Sequence, residues 1–179
     1  MPTLKSKNVV LRVVEKKDIP LLLLWFNDPE VIQYLQFYLP LMELQEEKWL
    51  EQKSFSENDV VFLIEAIMED GSLKPIGTCG LHEIEWKNRK ATAGIAIGDK
   101  DFWNKGLGTE AARLIIEYAF NQLNLHRIGT SVYDFNERSI AMQKKVGFQV
   151  EGRHRQAIFK NGRYVDEIVL GILREEWNK

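Results

Sequence analysis

The sequence predicts a layered α/β fold: one domain over residues 1–179, with a mixed sheet flanked by helices. Two observations carry that expectation. First, strand-like and helix-like runs interleave in the order β-α-α-α-β-β-β-α-β-α-β-β, the pattern of sheet and helices sharing one core. Second, 179 residues, 45% hydrophobic and 28% charged, suit one domain able to bury its core without staples.

Val9 to Val14 is β-branched and mostly apolar, which suits a buried strand. Asp18, Ile19 and Pro20 form a helix-start signal, and the helix runs through Phe26. Asp28-Pro29-Glu30 repeats the signal for a short helix towards Leu35. A third helix follows from Glu43 to Lys53, with Leu44, Trp49 and Leu50 as its expected buried side. Val60 to Ala66, Ile76 to Glu85 and Thr92 to Ile97 read as a meander, punctuated by Asp70-Gly71 and Lys87-Asn88-Arg89. Gly94 inside the third run points to a bulge or a close approach. The strongest helix is Gly108 to Leu123, where Leu107, Ala111, Leu114, Ile115, Tyr118 and Ala119 recur at helical spacing. His126 to Tyr133 is a strand, and Asn136 to Val146 a helix ended by Gly147. Gln149 to Phe159 and Arg163 to Leu173 close the chain as a hairpin on Asn161-Gly162.

Composition narrows the function. Twenty-four Lys and Arg against 26 Asp and Glu give a net charge of −2, without a long basic run. Nucleic acid is therefore not an expected partner. Cys79 is the sole cysteine and has no internal disulfide partner, which suits a reducing compartment. Leu21 to Phe26, the longest apolar stretch of the first third, is too short to span a bilayer, and the N-terminus does not read as a signal segment. A soluble cytoplasmic protein is expected. No His, Cys or Asp cluster has metal-ligand spacing, so no metal is expected.

The chemistry concentrates in Ile95 to Ala111, where a strand runs through a glycine-bearing turn into the long helix. Such a junction aims unpaired N–H groups and the positive helix end at one spot, a cradle for a diphosphate. Gly106 and Gly108 carry no side chain to hold a ligand off, and Lys105 adds a donor. The plainer reading is a loop whose glycines only satisfy positive φ. Neither Gly-x-Gly-x-x-Gly nor Gly-Lys-Ser/Thr occurs, so a Rossmann site and a P-loop lack support.

The phrase Phe102-Trp103-Asn104-Lys105-Gly106-Leu107-Gly108-Thr109-Glu110-Ala111 resembles the acetyl-CoA loop of the GNAT superfamily of N-acetyltransferases, in the branch that acetylates ribosomal-protein N-termini and small amines. Trp103 stands where the wider pattern has Gln or Arg. Asn136-x-x-Ser139 with Lys145-x-Gly147-Phe148, the hairpin around Asn161-Gly162, Leu11-Arg12 and Trp25-x-Asn27-Asp28-Pro29-Glu30 fit the same branch, in order along nearly the whole chain. The resemblance implies a sheet whose strands Thr92–Ile97 and Ile128–Tyr133 splay apart, with acetyl-CoA as co-substrate. Its cofactor-binding residues would be Ile95, Ala96 and Ile97 on the strand and Trp103, Asn104, Lys105, Gly106, Leu107, Gly108 and Thr109 in the loop and first turn. Asn136 and Ser139 would join them. Backbone groups of Ile95 and Ile97 would await the pantetheine arm, and an N–H near Ala96 or Ile97 would polarise the acetyl carbonyl.

The implied reaction is direct attack by a primary amine in a ternary complex. Many members carry a tyrosine proton donor where this chain has Gln143; the resemblance to the branch implies the serine of Asn-x-x-Ser, Ser139, as the donor instead, with a local backbone contact as its alternative role. Glu83 and Asp134 are candidate bases, with Glu167 a further one; alternation sets Glu83 and Glu85 on one face and His82 on the other. Trp25, Asn27, Tyr34, Phe37 and Tyr38 are candidates for the acceptor pocket, and Arg153, Arg155 and Lys160 for an anionic acceptor. Protein N-termini, polyamines and amino sugars all remain open as acceptors. A noncatalytic acyl-CoA sensor, supported by Gln143, and a nucleotide-binding switch are the rival functions. A two-fold homodimer is the base-rate expectation.

Overall fold

Among the described residues the chain forms eight strands: β1 (Leu4–Lys5), β2 (Val9–Val13), β3 (Val60–Ile67), β4 (Leu73–Glu85), β5 (Lys90–Ile97), β6 (Arg127–Tyr133), β7 (Gln149–Lys160) and β8 (Arg163–Leu173). Helices are α1 (Ile19–Phe26), α2 (Pro29–Ile32), α3 (Glu43–Ser54), α4 (Leu107–Asn121), α5 (Glu137–Val146) and α6 (Arg174–Trp177). The computed structural model describes residues 3–177. The strands form one sheet in the order β1-β2-β3-β4-β5-β6-β8-β7. Every pairing is antiparallel except β5 with β6. Asn161 and Gly162 both take positive φ, 50° and 79°, as the tight β7–β8 hairpin requires.

Each face of the sheet buries its own helices. On one, α4 lays down two rows, Ala111, Ile115 and Ala119 beside Ala112, Ile116 and Phe120, all at most 4% exposed. Each large side chain so buried stabilises the fold by roughly 1.5–3 kcal/mol. On the other, Leu22, Trp25 and Phe26 of α1 meet Leu63, with Leu41, Trp49 and Ala96 packed around them. Arg12 ties that second layer down. Its guanidinium donates twice to Asp18, at 2.8 Å each, and once to Glu65, at 2.9 Å. Asp18 and Glu65 are 5% and 6% exposed, so the Leu11-Arg12 signature serves a buried ion network at the start of α1.

The feature that positions the site is a fork. β5 and β6 pair only through Lys90↔Arg127, Ala91↔Ile128 and Thr92↔Gly129. Beyond Thr92 they part, β5 staying with β4 and β6 with β8.

Two local expectations change, and at Gly94 one of the two alternatives holds. Leu44 is 76% exposed, and the buried residue of α3 is Glu46, because the helix presents that side to a cavity rather than to the core. Glu83 has φ +53° at a register shift in β4, which breaks the simple alternation around it. Gly94 pairs with Gly80 without a bulge; what approaches it is His82, whose Nε2 would lie 3.4 Å from an added Cβ. Among the described residues no helix is long and apolar enough to cross a membrane.

Candidate active site

A cavity of about 820 Å³ runs through the fork and is lined from both faces of the sheet. Its geometry follows from strand parity. Gly98 N–H donates to Ile76 C=O on β4, so the alternate residues Ile97, Ile95 and Ala93 turn their amide groups the other way, into the gap. Where buried, such groups need partners, and past Thr92 no strand supplies them. Ala96, by the same parity, faces β4 with its amide, which leaves Ile97 as the residue whose N–H points into the gap. One gap-facing group is already satisfied: Trp103 Nε1–H donates to the Ile97 carbonyl at 2.7 Å. The tryptophan at the unusual loop position thus braces the loop against β5.

The loop continues through Asn104 at φ +60° and Gly106 at φ +81° into α4. Gly106 is the N-cap, without a side-chain cap, and an added Cβ there would meet nothing within 4 Å. Glu110 N–H makes the first helical bond, to Gly106 C=O. Among the described residues, the N–H groups of Asn104 to Thr109 have no partner. Six donors at the positive end of a 15-residue helix fit a diphosphate. Gly108 is tighter, since a Cβ would sit 3.3 Å from Met142 Sδ. Of the cofactor candidates, Ile95, Ala96, Ile97, Trp103, Asn104, Gly106, Gly108 and Thr109 line the cavity, as do Asn136 and Ser139. Lys105 and Leu107 do not; exposed Lys105 lies 5.1 Å over the Phe102 ring. Asn136 caps α5 by accepting from Ser139 N–H at 3.2 Å. Arg138, between them, stacks over Trp103 at 4.7 Å and Tyr34 at 5.1 Å and also lines the cavity. Its place inside Asn-x-x-Ser was the available signal.

The candidate bases lie elsewhere. Glu83 is exposed and does not line the cavity. Asp134 faces a smaller pocket of about 240 Å³ and pairs with Arg153 at 3.4 Å. Glu167 is bound to His154 at 2.9 Å. What does line the cavity is His82, its Nδ1 3.1 Å from Asp59 Oδ1. Burial disfavours the Asp59 charge, but hydrogen bonds from Lys53, Ser56 and His82 outweigh it and hold the carboxyl at about 2. An ionised Asp59 only accepts, so Nδ1 carries the proton and a neutral imidazole leaves its Nε2 lone pair free. That nitrogen lies over Gly80 and Gly94, a floor without side chains. Asp59 is 23 residues from His82, and nothing in the sequence links them.

The acceptor candidates divide similarly. Tyr34 and Phe37 line the cavity. Trp25 is 5% exposed and packs closely against Gly98, where its side chain leaves no room for a Cβ, in the second core. Asn27 exchanges hydrogen bonds with the Leu41 backbone, at 3.0 and 2.8 Å, and so fixes the segment leading into α3. Tyr38 is 83% exposed and outside the cavity. Lys160 is taken up by the Leu35 and Phe37 carbonyls at 2.7 and 2.8 Å, and Arg153 by Asp166, so neither is free for an anion. Gln143 and Glu46, 4% and 6% exposed, both line the cavity.

Comparison with known proteins agrees with this architecture. The acetyltransferase (GNAT) domain family matches residues 8–149. The uncharacterized N-acetyltransferase p20 of Bacillus licheniformis is 31% identical over 99% of each chain. Spermidine N(1)-acetyltransferase of Escherichia coli K12 is 30% identical over 99% of this chain and 91% of its own. Spermidine N-acetyltransferase from Vibrio cholerae, solved in complex with CoA and spermine, shares the fold at a TM-score of 0.88 over 97% of this chain and 100% of that one, at 24% identity. The forked sheet, the uncapped glycine loop and this matched span lead to one conclusion: the chain belongs to the GNAT family and is an acetyltransferase.

Proposed function

We propose that the protein transfers an acetyl group from acetyl-CoA to a small aliphatic primary amine by direct attack in a ternary complex. The observation that carries this reading is the fork, with gap-facing amides on β5 and six unpartnered N–H groups beside it. Acetyl-CoA supplies the activated thioester. The chain's residues do the rest. The N–H groups of Asn104 to Thr109 hold the diphosphate, and Ile97 N–H polarises the acetyl carbonyl. His82 Nε2 receives the proton that the acceptor nitrogen sheds, with Asp59 fixing the ring. Ser139 offers its hydroxyl to the departing thiolate.

A small amine is favoured over a protein N-terminus because the acceptor side is a cavity walled by α3 and the segment after α2, and because a relative at 30% identity is a spermidine acetyltransferase. A noncatalytic acyl-CoA sensor keeps one observation in its favour, the buried Gln143 where many members carry a tyrosine. A CoA-release screen over peptides with free N-termini, polyamines, amino sugars and aminoglycosides separates the two. The proposal expects release with an aliphatic amine; CoA binding without release on the whole panel would establish the sensor.

A further inference from the structure

Glu46 is the single acidic side chain among the described residues that line the cavity. It is 6% exposed, and among the described residues no donor or cation pairs with its carboxyl. Its neighbour Glu47, by contrast, is ion-paired with Lys16 at 2.7 Å. Burial pushes the Glu46 carboxyl upward, with no partner opposing that shift. The surrounding wall is apolar and aromatic: Trp49 follows one turn later, and Phe26 and Phe37 stand with ring centres 5.2 Å apart. The cations that line the cavity, Arg138 and Lys145, belong to α5, outside the α1–α3 layer that carries Glu46. A lone carboxylate in such a wall is costly unless a cation meets it. Aromatic faces add attraction for an ammonium and for the methylenes attached to it.

Resting on the reading of this cavity as the acceptor site, we propose that Glu46 anchors a second positive charge on the acceptor. The preferred substrate is then an amine whose reacting nitrogen is joined through an aliphatic spacer to another ammonium group. Two sources share that chemistry, small polyamines and peptides with a basic residue beside the N-terminus.

The test is steady-state acetylation of 1,4-diaminobutane against 1-aminobutane, and of Ala-Lys amide against Ala-Ala amide, by wild type, Glu46→Gln and Glu46→Asp. Wild type should prefer the dicationic member of at least one pair. Glu46→Gln should raise its KM by about 10–100-fold, the range of a charge-assisted contact, while the monocation changes by less than about twofold. Glu46→Asp, which keeps the charge, should retain part of the preference. Unchanged CoA affinity certifies folding of each variant. The anchor is overturned if wild type prefers neither dication, or if Glu46→Gln shifts both members of a pair equally. If wild type acetylates no amine at all, the proposed function fails by itself. Calorimetric titration of diaminobutane into the CoA complex then decides Glu46 separately: binding weakened in Glu46→Gln supports the anchor, and equal binding or none overturns it.

Discussion

Replacing Arg12 with Met removes four side-chain hydrogen bonds at once, two to Asp18, one to Glu65 and one to the Val13 carbonyl, and leaves the buried Asp18 and Glu65 without the guanidinium between them. Breaking a buried ion pair by deleting one partner costs about 3–5 kcal/mol, whereas an exposed pair would cost under about 1. Both carboxylates are at most 6% exposed, so the larger figure applies. For a chain of this size, with about 2–4 °C lost per kcal/mol, the melting temperature should fall by about 6–20 °C. The pH dependence has a definite sign. Burial works against the Asp18 charge, but the Arg12 and Glu15 hydrogen bonds outweigh it and lower its pKa in the fold. In wild type that contribution is complete above the unfolded aspartate range near 4 and is lost as pH falls through the lowered folded value. Without Arg12 only the Glu15 hydrogen bond and Lys17 oppose the burial penalty, so the Asp18 charge is less favoured than in wild type and the variant has less to lose as pH falls. Urea unfolding of both proteins at pH 7.5 and pH 4.5 should therefore show a smaller stability gap at the lower pH. An equal or wider gap, or a loss below 1 kcal/mol at pH 7.5, would refute the network's role.

His82→Gln should lower kcat/KM for the preferred amine by about 100- to 10,000-fold with CoA affinity unchanged; a loss under tenfold would remove His82 as proton acceptor. Asp59→Asn should act in the same direction with a smaller loss and restore nothing when combined with His82→Gln, which a kinetic double-mutant cycle reads directly. Gly106→Val forces a β-branched residue to φ +81°, costing about 1–2 kcal/mol, and puts bulk into the open side of the loop, so CoA affinity measured by calorimetry should fall at least tenfold while the fold survives.

Much of this architecture was legible because physics leaves local marks. The α4 periodicity, the Asn161-Gly162 turn and the glycine-bearing junction before α4 each follow from a few adjacent residues. The fork was legible through the family resemblance, and Gly94 alone pointed only to a bulge or a close approach. What could not be read is what depends on tertiary placement. Helical periodicity put Leu44 on the buried side of α3, but a helix that walls a cavity can bury Glu46 instead. Alternation set His82 and Glu83 on opposite faces, yet which face met the cavity depended on where α1–α3 packed, and Asp59 reaches His82 from another strand's approach. Asn27 and Trp25 sit close to acceptor-side residues in sequence but act as a loop clamp and a core plug.

The central claim, a carrier held by main-chain hydrogens between Asn104 and Thr109, is tested most directly by amide NMR on the isotope-labelled protein during CoA titration. The N–H signals of Asn104 to Thr109, with Ile95 beside the gap, should shift and gain protection from exchange as CoA binds. Saturation by CoA with those signals unmoved, and the largest changes elsewhere, would contradict it.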